Sequence, residues 1–192
     1  MLLALAPIRA LLALALLFSV VPCTYASTDI VLFFGGAKRA EYGMRQGLIP
    51  LRQQDAEGAA AAEASLRLLD HEVTATRLGS VFDQFLSKVD KETIRTFMPT
   101  SAGIAVSTAF QTHMDPRELQ EALNALRGVD RVAAAAFMNG PEVERMMAAL
   151  RSPAAKQVMS AYGEELMCAH LAKANRGALA NAQRQGKCEG VK

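Results

Sequence analysis

The chain contains no tryptophan, and aromatic residues make up only 6% of its 192 positions. That leaves little material for a platform on which bases could stack. Net charge is also small. Lysine and arginine (21) against aspartate and glutamate (19) leave +2, too little for the phosphate-neutralising surface that nucleic-acid binding requires. Seven prolines and thirteen glycines fall without a period, so collagen-like and low-complexity architectures are excluded. With 51% hydrophobic residues the chain is too apolar for intrinsic disorder.

The first residues read as a leader. Arg9 is the one charge in residues 1 to 21. The run Ala10 to Val21 would be about 18 Å long as a helix, too short to cross a hydrocarbon core of about 30 Å. Pro22 ends it, and Thr24, Tyr25 and Ala26 give a small-x-small cleavage signature. This is the plan of a secretory signal peptide, cut between Ala26 and Ser27. Two alternatives are a retained anchor and a lipidated Cys23. Lipidation calls for a small residue directly before the cysteine, and Pro22 stands there. The expected organisation is a signal peptide over 1–26, a helical domain over 27–185 and a tail over 186–192. The expected location is the periplasm or the exterior.

Charge is uneven beyond the leader. Residues 27 to 150 hold 13 basic and 16 acidic side chains, while 151 to 192 hold 7 and 3. A basic C-terminal helix suits its own dipole. It also leaves open a peripheral contact with an acidic surface.

The dominant hydrophobic period is 3.6. Leu78, Val81, Phe82, Phe85, Leu86 and Val89 form one stripe, and Ala62, Leu66, Leu69 and Val73 trace another ahead of it. Gly79-Ser80 marks a kink or a break between them. Leu119, Ala122, Leu123 and Leu126 follow a clear start, with Asp115 as cap, Pro116 at the first position and Glu118 at the third. A fourth stripe is Val129, Val132, Ala133, Ala136 and Phe137. A fifth, from Pro141, holds Val143, Met146, Met147 and Leu150. After Ser152-Pro153 a long helix is expected to run to about Gln183, with Gly177 inside it. The apolar run Ile30 to Phe34 fits either a strand or a helix; with Ala37, Ala40 and Met44 behind it, the segment reads as mostly helix. No alternating segment supplies partners for a sheet. The prediction is an all-α, single-domain bundle of about six to seven helices.

Two segments resemble each other. KETIRTFMPTSAGIAVSTAF (91–110) and PEVERMMAALRSPAAKQVMSAY (141–162) each read as a short amphipathic helix, a turn of small residues and a second apolar-striped helix. Glu92 and Arg95 correspond to Glu142 and Arg145. An αα-hairpin duplication is one reading, and chance likeness between helical patterns is the other.

Residues 139–170 also resemble a small helical domain of unknown function found in many exported bacterial proteins. Its mark is a helix ending in an aromatic or apolar pair, a Ser-Pro-x-Gly turn, and a second helix opening on a polar residue. Ser152-Pro153 match the turn, and Lys156 and Gln157 fall where the second helix begins its polar face. Ala155 replaces the glycine, and Leu150 and Arg151 replace the pair. In the first hairpin Gly103 is present, but no proline follows Ser101. The resemblance implies an exported helical protein and no chemistry.

Catalytic signatures are missing. His71, His113 and His170 form no H-x-x-x-H pair, and His71-Glu72 does not extend to H-E-x-x-H. Cys168-Ala169-His170 lacks the first cysteine of a haem-attachment motif. Gly35-Gly36-Ala37-Lys38 is no phosphate loop, and Gly79-Ser80-Val81 lacks the G-x-S-x-G frame. Glu164 and Glu165 are adjacent on a helix and so do not face one substrate together. No metal, cofactor or catalytic residue is assigned. Met138, Met146, Met147, Met159 and Met167 cluster late in the chain. Positions 146, 147 and 159 fall on core stripes, where methionine fills gaps, whereas an exposed Met138 beside Met167 would suggest a partner groove.

Cys168 and Cys188 are the two cysteines left once the leader is removed, and export would take them to an oxidising compartment. A straight helix would hold their Cα atoms about 30 Å apart, against a disulfide limit of about 7 Å. The predicted bond therefore requires a chain reversal, for which Gly177 and Gly186 are the candidates. Its role is expected to be structural, because redox enzymes pair cysteines at C-x-x-C spacing. The function expected is that of a periplasmic interaction or accessory protein, chaperone-like or assembling. The alternatives are a hydrolase with a dispersed site and a peripheral membrane-surface protein.

Overall fold

The computed structural model describes residues 27–191, and the predicted leader, with the cleavage expected after Ala26, lies outside them. Among the described residues every regular element is helical. There are eleven α-helices: α1 (Thr28–Phe33), α2 (Gly36–Gln54), α3 (Ala56–Ser65), α4 (His71–Phe85), α5 (Lys88–Phe97), α6 (Ser101–Thr112), α7 (Pro116–Asn124), α8 (Gly128–Met138), α9 (Pro141–Arg151), α10 (Pro153–Ala174) and α11 (Arg176–Arg184). The expected six to seven were too few because short polar caps divide stripes that periodicity joins.

Three divisions show this. The alanine-rich stretch is not one helix: α3 ends in a 3-10 turn over Leu66–Leu68, and Asp70 opens α4 by accepting from the backbone N–H of Glu72 and Val73 at 2.7 and 3.0 Å. The stripe from Leu78 to Val89 stops at Ser87. There Ser87 and Asp90 form a reciprocal capping box that starts α5, and Val89 is left exposed. The long helix from Pro153 ends at Ala174, where the Asn175 side chain caps α11 by accepting from Ala178 N–H at 3.0 Å. Helix caps of this kind contribute about 1 kcal/mol each, enough to decide between one helix and two.

Gly79-Ser80 is neither kink nor break. Gly79 lies inside α4 because α1 crosses there: a Cβ on it would sit 2.8 Å from the Thr28 nitrogen. The run Ile30 to Phe34 is helical, and Gly35, at φ +60°, turns the chain from α1 into α2. Ile30, Val31, Phe82, Ile94, Val106 and Met146 form the buried centre. Phe97 and Phe137 stack at 3.8 Å beside it.

The fourth stripe is split, with Phe137 turned inward and its other members outward. α8 buries Ala134 and Phe137, while Val129 (82% exposed) and Val132 (70%) point to solvent with Ala133 and Ala136.

Ion pairs tie the helices together. Arg95 grips Asp29 at 2.6 and 3.0 Å, and Arg145 grips Asp90. Arg77 holds Glu165 through two bonds and lies over the Tyr162 ring, whose hydroxyl accepts from Asp70 N–H. Glu165 is therefore a link between α4 and α10 rather than a free surface carboxylate.

Candidate functional site

The packing leaves a void. A cavity of about 940 Å³ opens between α2, α4, α7, α9 and α10, with the ends of α1, α6 and α8 completing its wall. Native interiors are packed like organic crystals and leave few spaces larger than a water. This one is lined by the same Phe82, Leu78, Phe34 and Met146 that form the core. The half-buried Leu119 and Leu123 of α7 pack against the core and also line it.

Methionine dominates the wall. Met44, Met138, Met146, Met147 and Met159 all line the cavity, and the unbranched thioether adapts to irregular contents. Met146 is buried and Met147 and Met159 are half-buried against the core, as expected of core stripes, and all three also border the void. Met167 lies elsewhere, in a second cavity of about 320 Å³, so Met138 and Met167 do not share one groove. Met44 and Met159 border both spaces.

The charged lining residues carry one sign. They are Arg39, Arg151 and Lys156; among the described residues Gln120 is the one uncharged polar side chain, and no carboxylate, histidine, thiol or hydroxyl contributes. Arg39 is the most constrained. Its Nη2 donates to the carbonyls of His113 (2.7 Å) and Phe110 (3.3 Å), the last turn of α6, and its guanidinium lies 4.9 Å from the Phe110 ring centre. Its Nε is buried without a partner. Burial lowers its pKa from the usual arginine value, yet an arginine remains charged at any physiological pH. Arg151 and Lys156 stand exposed where α9 passes into α10, and neither is ion-paired among the described residues.

Other titratable groups lie away from the void. Arg145 holds the Asp90 carboxyl at about 2, with further bonds from Ser87. Arg95 lowers Asp29 in the same way. Burial pushes Glu41 up, but hydrogen bonds from His71 and Arg45 outweigh it, and the net shift is downward. Each is a structural ion pair.

The residues singled out from sequence scatter. His71 opens α4 with Nε2 2.7 Å from Glu41, His113 caps α6, and His170 lies on α10. No group of three potential metal ligands occurs among the described residues. Ser27 donates to Asp83 at 2.7 Å, and Lys91 joins the same carboxylate at 2.6 Å.

Cys168 and Cys188 are bonded, with Cα atoms 5.3 Å apart. The chain reverses at Asn175, not at Gly177, which lies within α11. Gly186, at φ +74°, then brings Cys188 back to α10. None of the helices is long and apolar enough to cross a membrane among the described residues.

Sequence reading missed the cavity. No single segment marks it: α2 contributes the small Ala40 and Gly43, residues that closely packed helices carry as well.

Compared with known proteins, the chain significantly matches no family model, no curated protein and no solved structure.

Proposed function

We propose that this is an exported accessory protein that works by binding, with the methionine-walled cavity as its site. The observation that carries the reading is the lining: a large apolar space that, among the described residues, holds no carboxylate, histidine, thiol or hydroxyl, and whose one amine, Lys156, stands exposed at the rim. A hydrolase works through such groups held together within reach of its substrate. The shifted carboxyls Asp29, Glu41 and Asp90 are engaged in ion pairs outside the lining, which favours binding over hydrolysis. The neutral dye Nile red should brighten on the purified protein, and Gly43→Phe should suppress it. Gly43 lines the void, and a Cβ there meets nothing within 4 Å. Equal brightening by both proteins would refute the site.

Export is supported by the apolar leader, by the Ser152-Pro153 resemblance and by a disulfide suited to an oxidising compartment. Intact mass of envelope material should begin at Ser27; a chain beginning at Met1 would overturn it. The hairpin duplication also gains support. Arg95 and Arg145, at matching positions, each grip an aspartate in the first turn of another helix. Thr100 and Ser152 each cap by accepting from the N–H three residues on.

Contact with a membrane surface is a second reading, favoured by the outward Val129 and Val132 with Arg127 and Arg131 beside them. Sedimentation with anionic vesicles that weakens at high salt would support it.

A further inference from the structure

We propose that the occupant of the cavity is a free long-chain carboxylate, a fatty-acid-type anion with its chain in the void and its head at the cations. This rests on the binding reading above and adds the chemistry of the ligand. Three features select it.

The first is charge. Arg39, Arg151 and Lys156 border an apolar space that no carboxylate lines, so the local field favours a single anionic group. A neutral apolar occupant would leave that one-signed set without purpose. The second is the unused donor. Arg39 spends Nη2 on the end of α6, and its Nε, closed to solvent, has no partner among the described residues, so a carboxylate meets it once the Arg39 side chain turns toward the void. Buried donors in native proteins are almost always satisfied, and a carboxylate is the acceptor that forms the strongest bond with a guanidinium.

The third is shape. A volume of about 940 Å³ lies at the upper end of the range for small-molecule sites, about 300 to 1,000 Å³, and such sites form between the helices of bundles. The smaller cavity lies beyond Met44 and Met159, which border both. Two flexible side chains at that junction suit an unbranched chain that threads between the spaces, and not a compact polycyclic ligand.

The test uses delipidated full-length protein and displacement of bound Nile red. Palmitate should displace the dye, and hexadecanol, with the same chain and no charge, should do so about tenfold less well. Arg151→Glu with Lys156→Glu should weaken palmitate by about tenfold and leave hexadecanol unchanged. Both rim positions are exposed, so the double variant should keep its helical circular dichroism. Equal displacement by acid and alcohol would overturn the proposal, as would a double variant that binds palmitate normally. Dye binding that palmitate does not disturb, or that only an apolar acidic peptide disturbs, would overturn the carboxylate but keep the cavity as a site. Failure of the dye itself to bind would overturn both.

Discussion

Arg145 of α9 holds both carboxylate oxygens of Asp90, the residue that also closes the capping box of α5. One aspartate thus serves a helix start and a contact between two distant helices. Its carboxyl is held at about 2, below its ordinary 3.8, so the ionised form is favoured by folding. The stabilisation is complete above pH about 4 and is lost as pH falls toward 2. Asp90→Asn should lower unfolding free energy by about 2 kcal/mol at pH 7. The difference from the parent should shrink in urea titrations near pH 2.

Two glycines should respond oppositely to alanine. A Cβ at Gly103 would lie 2.1 Å from the Phe97 carbonyl oxygen and 2.8 Å from that of Met98. Backbone cannot swing aside as a side chain can, so Gly103→Ala should cost at least about 2 kcal/mol. Gly47, in α2, faces open space. Gly47→Ala should raise stability by about 0.5 to 1 kcal/mol. Thermal melts of the two variants check both signs.

The disulfide should matter to stability more than to architecture. It closes a segment with a sequence separation of 20, and a loop of that size contributes about 3 kcal/mol. Cys188→Ser should lower the unfolding free energy by that amount while α1 to α9 keep their helical signal. Peptide mapping without reductant should find Cys168 and Cys188 joined; two alkylatable thiols would contradict the bond.

The outward face of α8 gives a fourth expectation. Val129→Lys and Val132→Lys should change unfolding free energy by less than about 0.5 kcal/mol, since both side chains lie largely in water. A larger loss would mean that this face is covered in the folded protein.

Helical class and the helix starts at Pro116, Pro141 and Pro153 were legible because caps and the 3.6 period are local. Asp115-Pro116 and Ser152-Pro153 each open a helix as expected. The number of helices was not legible, since Asp70, Ser87 and Asn175 divide stripes that continue in phase on either side. The α8 stripe misled for a different reason: which apolar face turns inward depends on the neighbours, and Phe137 with Ala134 outweighs two valines. The cavity depended on the packing of several helices that no single segment encodes. Arg39 carried no mark in sequence at all, because its partners are carbonyls more than seventy positions away.

The bond between α10 and the tail beyond α11 bears on how oxidation can go wrong. The 192-residue sequence holds three cysteines, Cys23, Cys168 and Cys188, so one bond among them can form in three ways, two of which tether the predicted leader to the C-terminal region. A chain that starts at Ser27 has a single intramolecular choice. Cleavage before oxidation would therefore turn a sorting problem into one with a single outcome, and no isomerase would be needed to rescue mispaired material.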